Sequence, residues 1–380
     1  MTRQVLVVRL DGAGDVLLAG PAVRAVAAAP GTAVTMLCGP AGTAAARLLP
    51  GVRDVLTWSA PWVLADPPAV DPAAVAALVA DLAARRFTEA VVLTSFHQSP
   101  LPTALLLRLA GVPRITGASV DYPGALLDVR VRPGDGPGDT LPDDLPEPER
   151  ALAVAAAAGY PLPDGDDGRL AVIPLPPAPA LTPPRSGPRP LTPDGTSGGP
   201  GAAGVPGGDP GRPYVVVHPG AAAPARRWPA GHHARAVELL AGAGWQVVVT
   251  GGPDERTLTA AVAGDVGLDL GGRTSLAELG AVLAGASAVV VGNTAAAHLS
   301  AAVGTPVVSL FAPVVPAVRW GPYRVPHVLL GDAGAACRDT RARECPVPGH
   351  PCLAAVRPED VAAAVHRLAG SPHPIWGASA

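Results

Sequence analysis

The chain contains no lysine: all 28 of its Lys/Arg positions are arginine. That excludes chemistry requiring a lysine amine, such as Schiff-base and pyridoxal catalysis, and it excludes the Gly-Lys-Ser/Thr phosphate loop. A GC-rich genome that replaces Lys with Arg accounts for the same fact, in keeping with the 45 Gly and 47 Pro. Either way, any side chain that grips a phosphate as a cation must be a guanidinium. An excess of positive charge is also missing. The formal net charge is −3 and only 16% of residues are charged, so no basic face for a nucleic-acid partner is expected. Long apolar runs are absent too. The run at 5–8 is soon interrupted by Arg9, Asp11 and Asp15, and no stretch reaches the ~18 uncharged apolar residues of a membrane span. The N-terminus reads as a strand rather than a signal peptide. The expectation is a cytoplasmic chain, with peripheral association at the inner face of a membrane left open.

What is present is an alternation. The 380 residues, 48% of them hydrophobic, suffice for two domains of ~100–200 residues each with sizeable cores. In the first half, strand patterns at 4–9, 33–38 and 90–94 alternate with helix patterns at 15–29, 75–86, 103–110 and 149–158. Segment 174–213 is dense in Pro, Gly, Ser and Thr, which reads as a flexible linker or insertion. Strands at 214–217, 246–250, 288–291 and 306–311 then alternate with helices at 232–243, 255–263, 276–284, 294–302 and 361–368. Such alternation implies parallel sheets covered on both faces, an α/β class. The implied units are 1–173, the linker 174–213, 214–356, and a terminal helix and tail at 357–380. Two α/β halves leave a cleft between the carboxyl ends of their sheets, where open α/β sheets bind ligands.

Five stretches could carry chemistry. In "RLDGAGDVLLAGPAVRAV", Gly12 and Gly14 permit a tight turn and Asp15 begins a helix. The third glycine of the dinucleotide fingerprint is missing, and Cys38-Gly39-Pro40 stands where an acid would end the second strand, so nicotinamide binding is set aside. Asp15 is either a helix cap or a carboxylate poised at the cleft as a general base. In "HPGAAAPARRWP" a strand breaks at Gly220 and leads to Arg226 and Arg227. Guanidinium groups there can hold phosphate oxygens in pairs, or simply form a solvated basic loop. "VVVGNTAAAHLSAAVGTPVVSLF" ends a strand at Gly292 and starts a helix at once. The free amides of Asn293, Thr294, Ala295 and Ala296, with the helix dipole, suit an anion. His298 on the same helix is a packing residue or a catalyst. In "TGGPDE", Gly251 and Gly252 precede Glu255, an acid that can hold ribose hydroxyls or merely stabilise a helix start. Cys337, Cys345, His350 and Cys352 could bind zinc, but without paired Cys-x2-Cys spacing; reduced thiols or a regulatory disulfide are the alternatives.

Together these stretches, with "GRTSLAELGAVLAGASA", "RWGPY" and "HPCLAAVRPEDV", resemble glycosyltransferase family 9, the ADP-heptose:lipopolysaccharide heptosyltransferases and their actinobacterial relatives. The resemblance spans nearly the whole chain except 174–213. It implies a GT-B fold of two Rossmann-like domains, the first taking an acceptor and the second a nucleotide sugar, with the C-terminal helix crossing back onto the first. It implies Asp15 as base, Arg226 or Arg227 on the donor phosphate, Glu255 near the ribose, and Asn293, Thr294 and Ala295 at the anion turn. Gly14, His97 and Gln98, together with Asp121-Tyr122, are expected on the acceptor side. The expected activity is an inverting, metal-independent glycosyltransferase moving heptose from ADP-heptose onto a hydroxyl of a glycan, lipid-linked or small-molecule acceptor, with no cofactor. A non-catalytic sugar-nucleotide binder and a GT-B nucleotide-sugar epimerase are the alternatives. Two departures bear on donor identity. Many members carry lysine where Arg226 stands, and Asp-Thr-Gly where this chain has Asn293-Thr294-Ala295.

Overall fold

The computed structural model describes residues 3–64, 66–95, 98–181 and 213–371. Two parallel sheets organise them. The first lobe contains β1 (Arg3–Arg9), β2 (Thr32–Cys38), β3 (Val52–Thr57), β4 (Glu89–Val92), β5 (Ile115–Ala118) and β6 (Val129–Val131) in the order β3-β2-β1-β4-β5-β6. The second contains β7 (Tyr214–His218), β8 (Gln246–Val249), β9 (Leu268–Asp269), β10 (Ala288–Gly292), β11 (Val307–Leu310) and β12 (His327–Leu330) in the order β12-β11-β10-β7-β8-β9. Counted within each lobe the two orders are the same, 3-2-1-4-5-6. Strand order reverses between β1 and β4 and between β7 and β10. Those are the switch points beyond whose carboxyl ends open α/β sheets bind ligands.

The central strands are continuous apolar runs, as expected when helices cover both faces. Val5 to Val8 and Val215 to Val217 are fully buried. The covering helices of the first lobe are α1 (Ala13–Leu18), α2 (Gly20–Ala28), α3 (Thr43–Ala46), α4 (Pro72–Arg85), α5 (Leu101–Leu109) and α6 (Glu147–Ala157). Those of the second are α7 (Ala230–Gly242), α8 (Arg256–Ala263), α9 (Leu276–Ala284), α10 (Ala295–Ala302), α11 (Ala317–Trp320), α12 (Pro351–Ala354) and α13 (Pro358–Ala369). The helix expected at 15–29 is two helices, α1 and α2, joined at Ala19. Pro21 in the first turn of α2 explains the break, because it lacks the N–H that a continuous helix would use.

The lobes meet along α1 and α10, which lie against each other. Gly14 is what allows this: a Cβ there would press on the His298 ring at 3.0 Å and on the Ala295 Cα at 3.4 Å. One apolar cluster consequently runs through both lobes, from Val16 and Leu17 of α1 to Ala296, Ala297 and Leu299 of α10.

One expectation about chain organisation changes. The terminal helix does not cross back. α13 packs on α7, β10, β11 and β12, with Val361, Ala364 and Val365 in the core of the second lobe. Its approach is fixed by Trp228, whose Nε1–H donates to the Val356 carbonyl at 3.2 Å. The helix buries its apolar stripe on the nearest sheet face, which leaves nothing to bury on the first lobe. Of the linker expected at 174–213, residues 182–212 lie outside the described residues. The preceding turns are docked on both lobes: Ile173 N–H donates to the Leu48 carbonyl at 2.8 Å, and Leu181 accepts from Gln246 Nε2 at 3.3 Å.

Candidate active site

β1 ends on Arg9, a charged residue closing an otherwise apolar strand, with a side chain only 2% exposed. A buried guanidinium has to be surrounded by acceptors. Arg9 Nε lies 2.8 Å from Asp11 Oδ2. Its Nη2 donates to Ser95 Oγ at 2.8 Å, to Asp15 Oδ1 at 2.9 Å and to Glu147 Oε2 at 3.5 Å. Burial opposes the charge, but Asp11, Asp15 and Glu147 more than offset it and hold Arg9 above its ordinary pKa. Asp11 is affected in the opposite sense. Burial pushes its carboxyl up to about 6, against the pull of Arg9, and Gln98 Nε2 donates to its Oδ1 at 2.5 Å.

Asp15 sits in the first turn of α1, where the Gly12–Gly14 turn delivers it to the lobe seam, and its side chain is 26% exposed. It makes no side-chain cap. Its donors are Arg9, Ser95 Oγ at 3.5 Å, and Trp320 Nε1 from the second lobe at 3.2 Å. All of them meet Oδ1. Oδ2 has no donor among the described residues, so one oxygen is anchored and the other keeps a free lone pair.

Across the seam stands Arg226, in the turn Pro224–Arg226. Its Nη1 donates to the Asn293 carbonyl at 3.3 Å, its Nε is buried without a partner, and no carboxylate pairs with it among the described residues. Burial lowers its pKa while the charge of Asp15 raises it, so the two side chains feel each other's field. His298 of α10 packs against Gly14 at the same seam. Burial pushes it to about 4, with Asp15 pulling up and Arg226 pushing down, and the imidazole is therefore neutral near pH 7.

Beyond Arg226 a cleft of about 540 Å³ opens at the carboxyl ends of β7, β8 and β10. Gly220, Arg227, Gly251, Gly252, Glu255, Thr294, Ala295 and Ala296 all line it. This gathers most of the residues expected to hold donor phosphate and ribose. Arg227 is exposed there, its Nε on the Ala221 carbonyl at 2.8 Å. Glu255 takes the helix-start role foreseen for it. Its Oε2 accepts from Gly252 N–H at 2.8 Å as a helix-start acid, and its carboxylate also faces the cleft. It lies so close over Gly220 that a Cβ at that position would collide with it. Asn293 is placed differently: its side chain is buried and bridges Ala312, with both contacts at 3.4 Å. It supports the turn from behind, and its carbonyl, not its amide, reaches toward Arg226.

On the first-lobe side a smaller cavity of about 110 Å³ is lined by Arg9, Ser95, Gln98, Asp121, Glu147, Arg150 and Arg319. Gln98 and Asp121 are thus on the side expected for an acceptor. Tyr122 is 85% exposed, Gly14 lies at the seam, and His97 lies outside the described residues. Cys337 and Cys352 are buried in the core of the second lobe with Cys345 packed nearby. His350 turns its Nε2 to the Ala225 carbonyl at 2.9 Å. Among the described residues no three His, Cys, Asp or Glu side chains are grouped as a metal site.

Sequence reasoning missed Arg9, Asp11, Glu147, Arg319 and Trp320 as parts of the site. The available signal was Arg9 itself, an arginine ending a strand too apolar to be exposed.

Over 96% of this chain and 98% of its own, the solved structure of an E. coli ADP-heptose lps heptosyltransferase II superposes with a TM-score of 0.65 at 19% identity. The architecture is therefore GT-B, as the resemblance implied. Residues 201–350 match glycosyltransferase family 9 (heptosyltransferase), which bears out the family resemblance drawn from the sequence. Lipopolysaccharide heptosyltransferase 1 of Pseudomonas aeruginosa is 36% identical over 127 residues, 32% of this chain and 35% of that protein. Lipooligosaccharide heptosyltransferase 2 of Haemophilus influenzae is 32% identical over 113 residues, 28% of this chain and 33% of that protein. The matched segments thus span about a third of these relatives.

Proposed function

We propose that the chain is a glycosyltransferase that moves a sugar from a nucleoside diphosphate sugar to an acceptor hydroxyl with inversion at the anomeric carbon. One observation carries the proposal. A carboxylate of the first lobe, Asp15 on α1, and a guanidinium of the second, Arg226, held on the Asn293 carbonyl before α10 and without a carboxylate partner among the described residues, stand at the seam where α1 and α10 pack. Asp15 Oδ2 takes the proton of the acceptor hydroxyl as its oxygen bonds to the anomeric carbon. The bond from that carbon to the diphosphate oxygen breaks, and its electron pair leaves with the diphosphate. Arg226, Arg227 and the first-turn amides of α10 then meet the developing negative charge. Fixed donors aimed at such charge contribute about 3–4 kcal/mol each. The donor occupies the larger cleft with its ribose near Glu255, and the acceptor occupies the smaller cavity beside Gln98 and Asp121.

The family resemblance supports heptose from ADP-heptose as donor and a glycan hydroxyl as acceptor. A lipid-borne acceptor would bring the chain to the inner face of a membrane, although no described helix is long and apolar enough to cross one. With arginines and a helix terminus to neutralise the leaving group, no divalent cation is needed for the step.

The test has two arms. ADP-, GDP- and UDP-sugars are compared for their effect on melting temperature, where saturation at 100 times Kd adds about 2.7 kcal/mol. The expected result is a rise with the ADP-sugar, and nucleoside diphosphate release that requires an acceptor and is unchanged by EDTA. No shift with any nucleotide sugar, or conversion of the donor with no acceptor present, would contradict it.

A further inference from the structure

The stretch Arg-Trp-Gly-Pro-Tyr (319–323) carries part of the family resemblance, yet the reaction as written gives it no task. It belongs to the second lobe, and its side chains reach the first. Trp320 Nε1 donates to Asp15 Oδ1 at 3.2 Å. Arg319 donates to Glu147 Oε1 through Nε at 2.9 Å and Nη2 at 2.5 Å. Glu147 Oε2 accepts from Arg9 Nη2 at 3.5 Å, and that same Nη2 reaches Asp15 Oδ1 at 2.9 Å. The Arg319 guanidinium lies 4.9 Å from the centre of the Trp320 ring, which completes a circuit: Asp15, Arg9, Glu147, Arg319, Trp320 and back to Asp15. Tyr323 OH adds a contact to Glu149 Oε1 at 3.1 Å. The start of α6 thus docks Arg319 and Tyr323, while Trp320 reaches α1.

We propose that Arg319 and Trp320 are positioning residues, which orient the Asp15 carboxylate from the opposite lobe so that the base is aligned only where the two lobes meet. This rests on the glycosyl-transfer reading and adds to it the means by which the nucleotide lobe reaches the base. The chemistry is directional. Trp320 offers a single N–H and can only donate. With Arg9 on the same oxygen, it fixes the plane of the carboxyl and leaves Oδ2 for the acceptor proton. Arg319 acts one step further back. Its side chain is 1% exposed and that of Glu147 2% exposed, and a charge pair so deeply buried holds only with its partners in place. Glu147 in turn presents Oε2 to Arg9. Neither Arg319 nor Trp320 has to touch the reacting atoms.

Trp320→Phe keeps the ring and removes only the N–H. The expected result is a kcat lower by roughly tenfold, as for a small misplacement of a reacting group, with donor KM within about twofold. The other groups facing Asp15 remain as they were: Arg9 of β1, Asp11 beyond it, His298 of α10 and Arg226. Arg319→Lys, which keeps the charge but loses the fork, should lower kcat in the same way, with donor KM again within about twofold. In an Asp15→Asn background Trp320→Phe should change nothing further. Wild-type kcat in Trp320→Phe overturns the proposal, as does an equal loss in the Asp15→Asn background. If the wild type transfers no sugar at all, the functional reading fails separately. The contact is then tested by melting temperature, where the Asp15→Ala and Trp320→Phe effects are expected to be less than additive; additive effects contradict it.

Discussion

Replacing Asp15 with asparagine is expected to lower kcat by ~10²–10⁴-fold, the usual contribution of a positioned general base, while donor KM stays nearly constant. Asparagine keeps the shape, and its carbonyl oxygen can still accept from Arg9 and Trp320. What it loses is the ability to take a proton. The donor cleft lies in the other lobe and does not include Asp15, which is why binding should survive. Asp11 is the obvious rival, since burial has pushed it up to about 6, nearer the pH of use. Its Oδ1 accepts from Gln98, however, and its Oδ2 lies sealed from solvent, ion-paired at 2.8 Å with Arg9 Nε but outside hydrogen-bond geometry. Steady-state release of nucleoside diphosphate by Asp15→Asn and Asp11→Asn separates them. A collapse of kcat in Asp11→Asn with Asp15→Asn near wild type would reverse the assignment.

The second large effect is on stability. Glu147→Ala should destabilise the protein by ~3–5 kcal/mol, the cost of breaking a buried ion pair from one side. Glu147 is 2% exposed and lies within 2.5 Å of Arg319 and 3.5 Å of Arg9. Both guanidinium groups are as deeply buried as it is; Arg319 would lose the acceptor of its Nε and Nη2, and Arg9 the longest of its contacts. The two arginines come from different lobes, so the loss should loosen the seam as well as the fold. Denaturant unfolding of Glu147→Ala against wild type measures it, read at the midpoint with the slope checked for change. An unchanged midpoint would mean that the network does not hold the lobes together.

The larger features of this protein were legible in its sequence because they follow from short-range physics. β-branched runs such as Val215–Val217 can only be buried strands, and Gly292-Asn293-Thr294 marks an abrupt strand-to-helix turn that the structure retains, with α10 starting at Ala295. The cleft residues from Gly220 to Ala296 were found for the same reason: each sits where a parallel strand gives way to a helix. Short edge elements were not legible. β9 spans only Leu268–Asp269, and β12 alternates weakly between exposed and half-buried positions. The helix at 361–368 was found, but not its partner. Its apolar stripe shows that it packs on something, and only Trp228 shows on what. The charged circuit was the hardest to foresee. Arg9, Glu147 and Arg319 are far apart in sequence and ordinary in type. Their meaning comes from burial, which long-range packing decides.

The central claim is that the leaving diphosphate is held at the seam by Arg226 and the start of α10. Calorimetric titration of ADP into the wild type and into Arg226→Met tests it most directly, because it needs neither an acceptor nor turnover. Methionine fills much of the same space without charge. The account predicts at least tenfold weaker binding in Arg226→Met, as expected for losing a partly buried charge-assisted contact of about 1.5–3 kcal/mol, with Asp15→Asn binding as wild type does. Equal affinity in Arg226→Met and the wild type would contradict it.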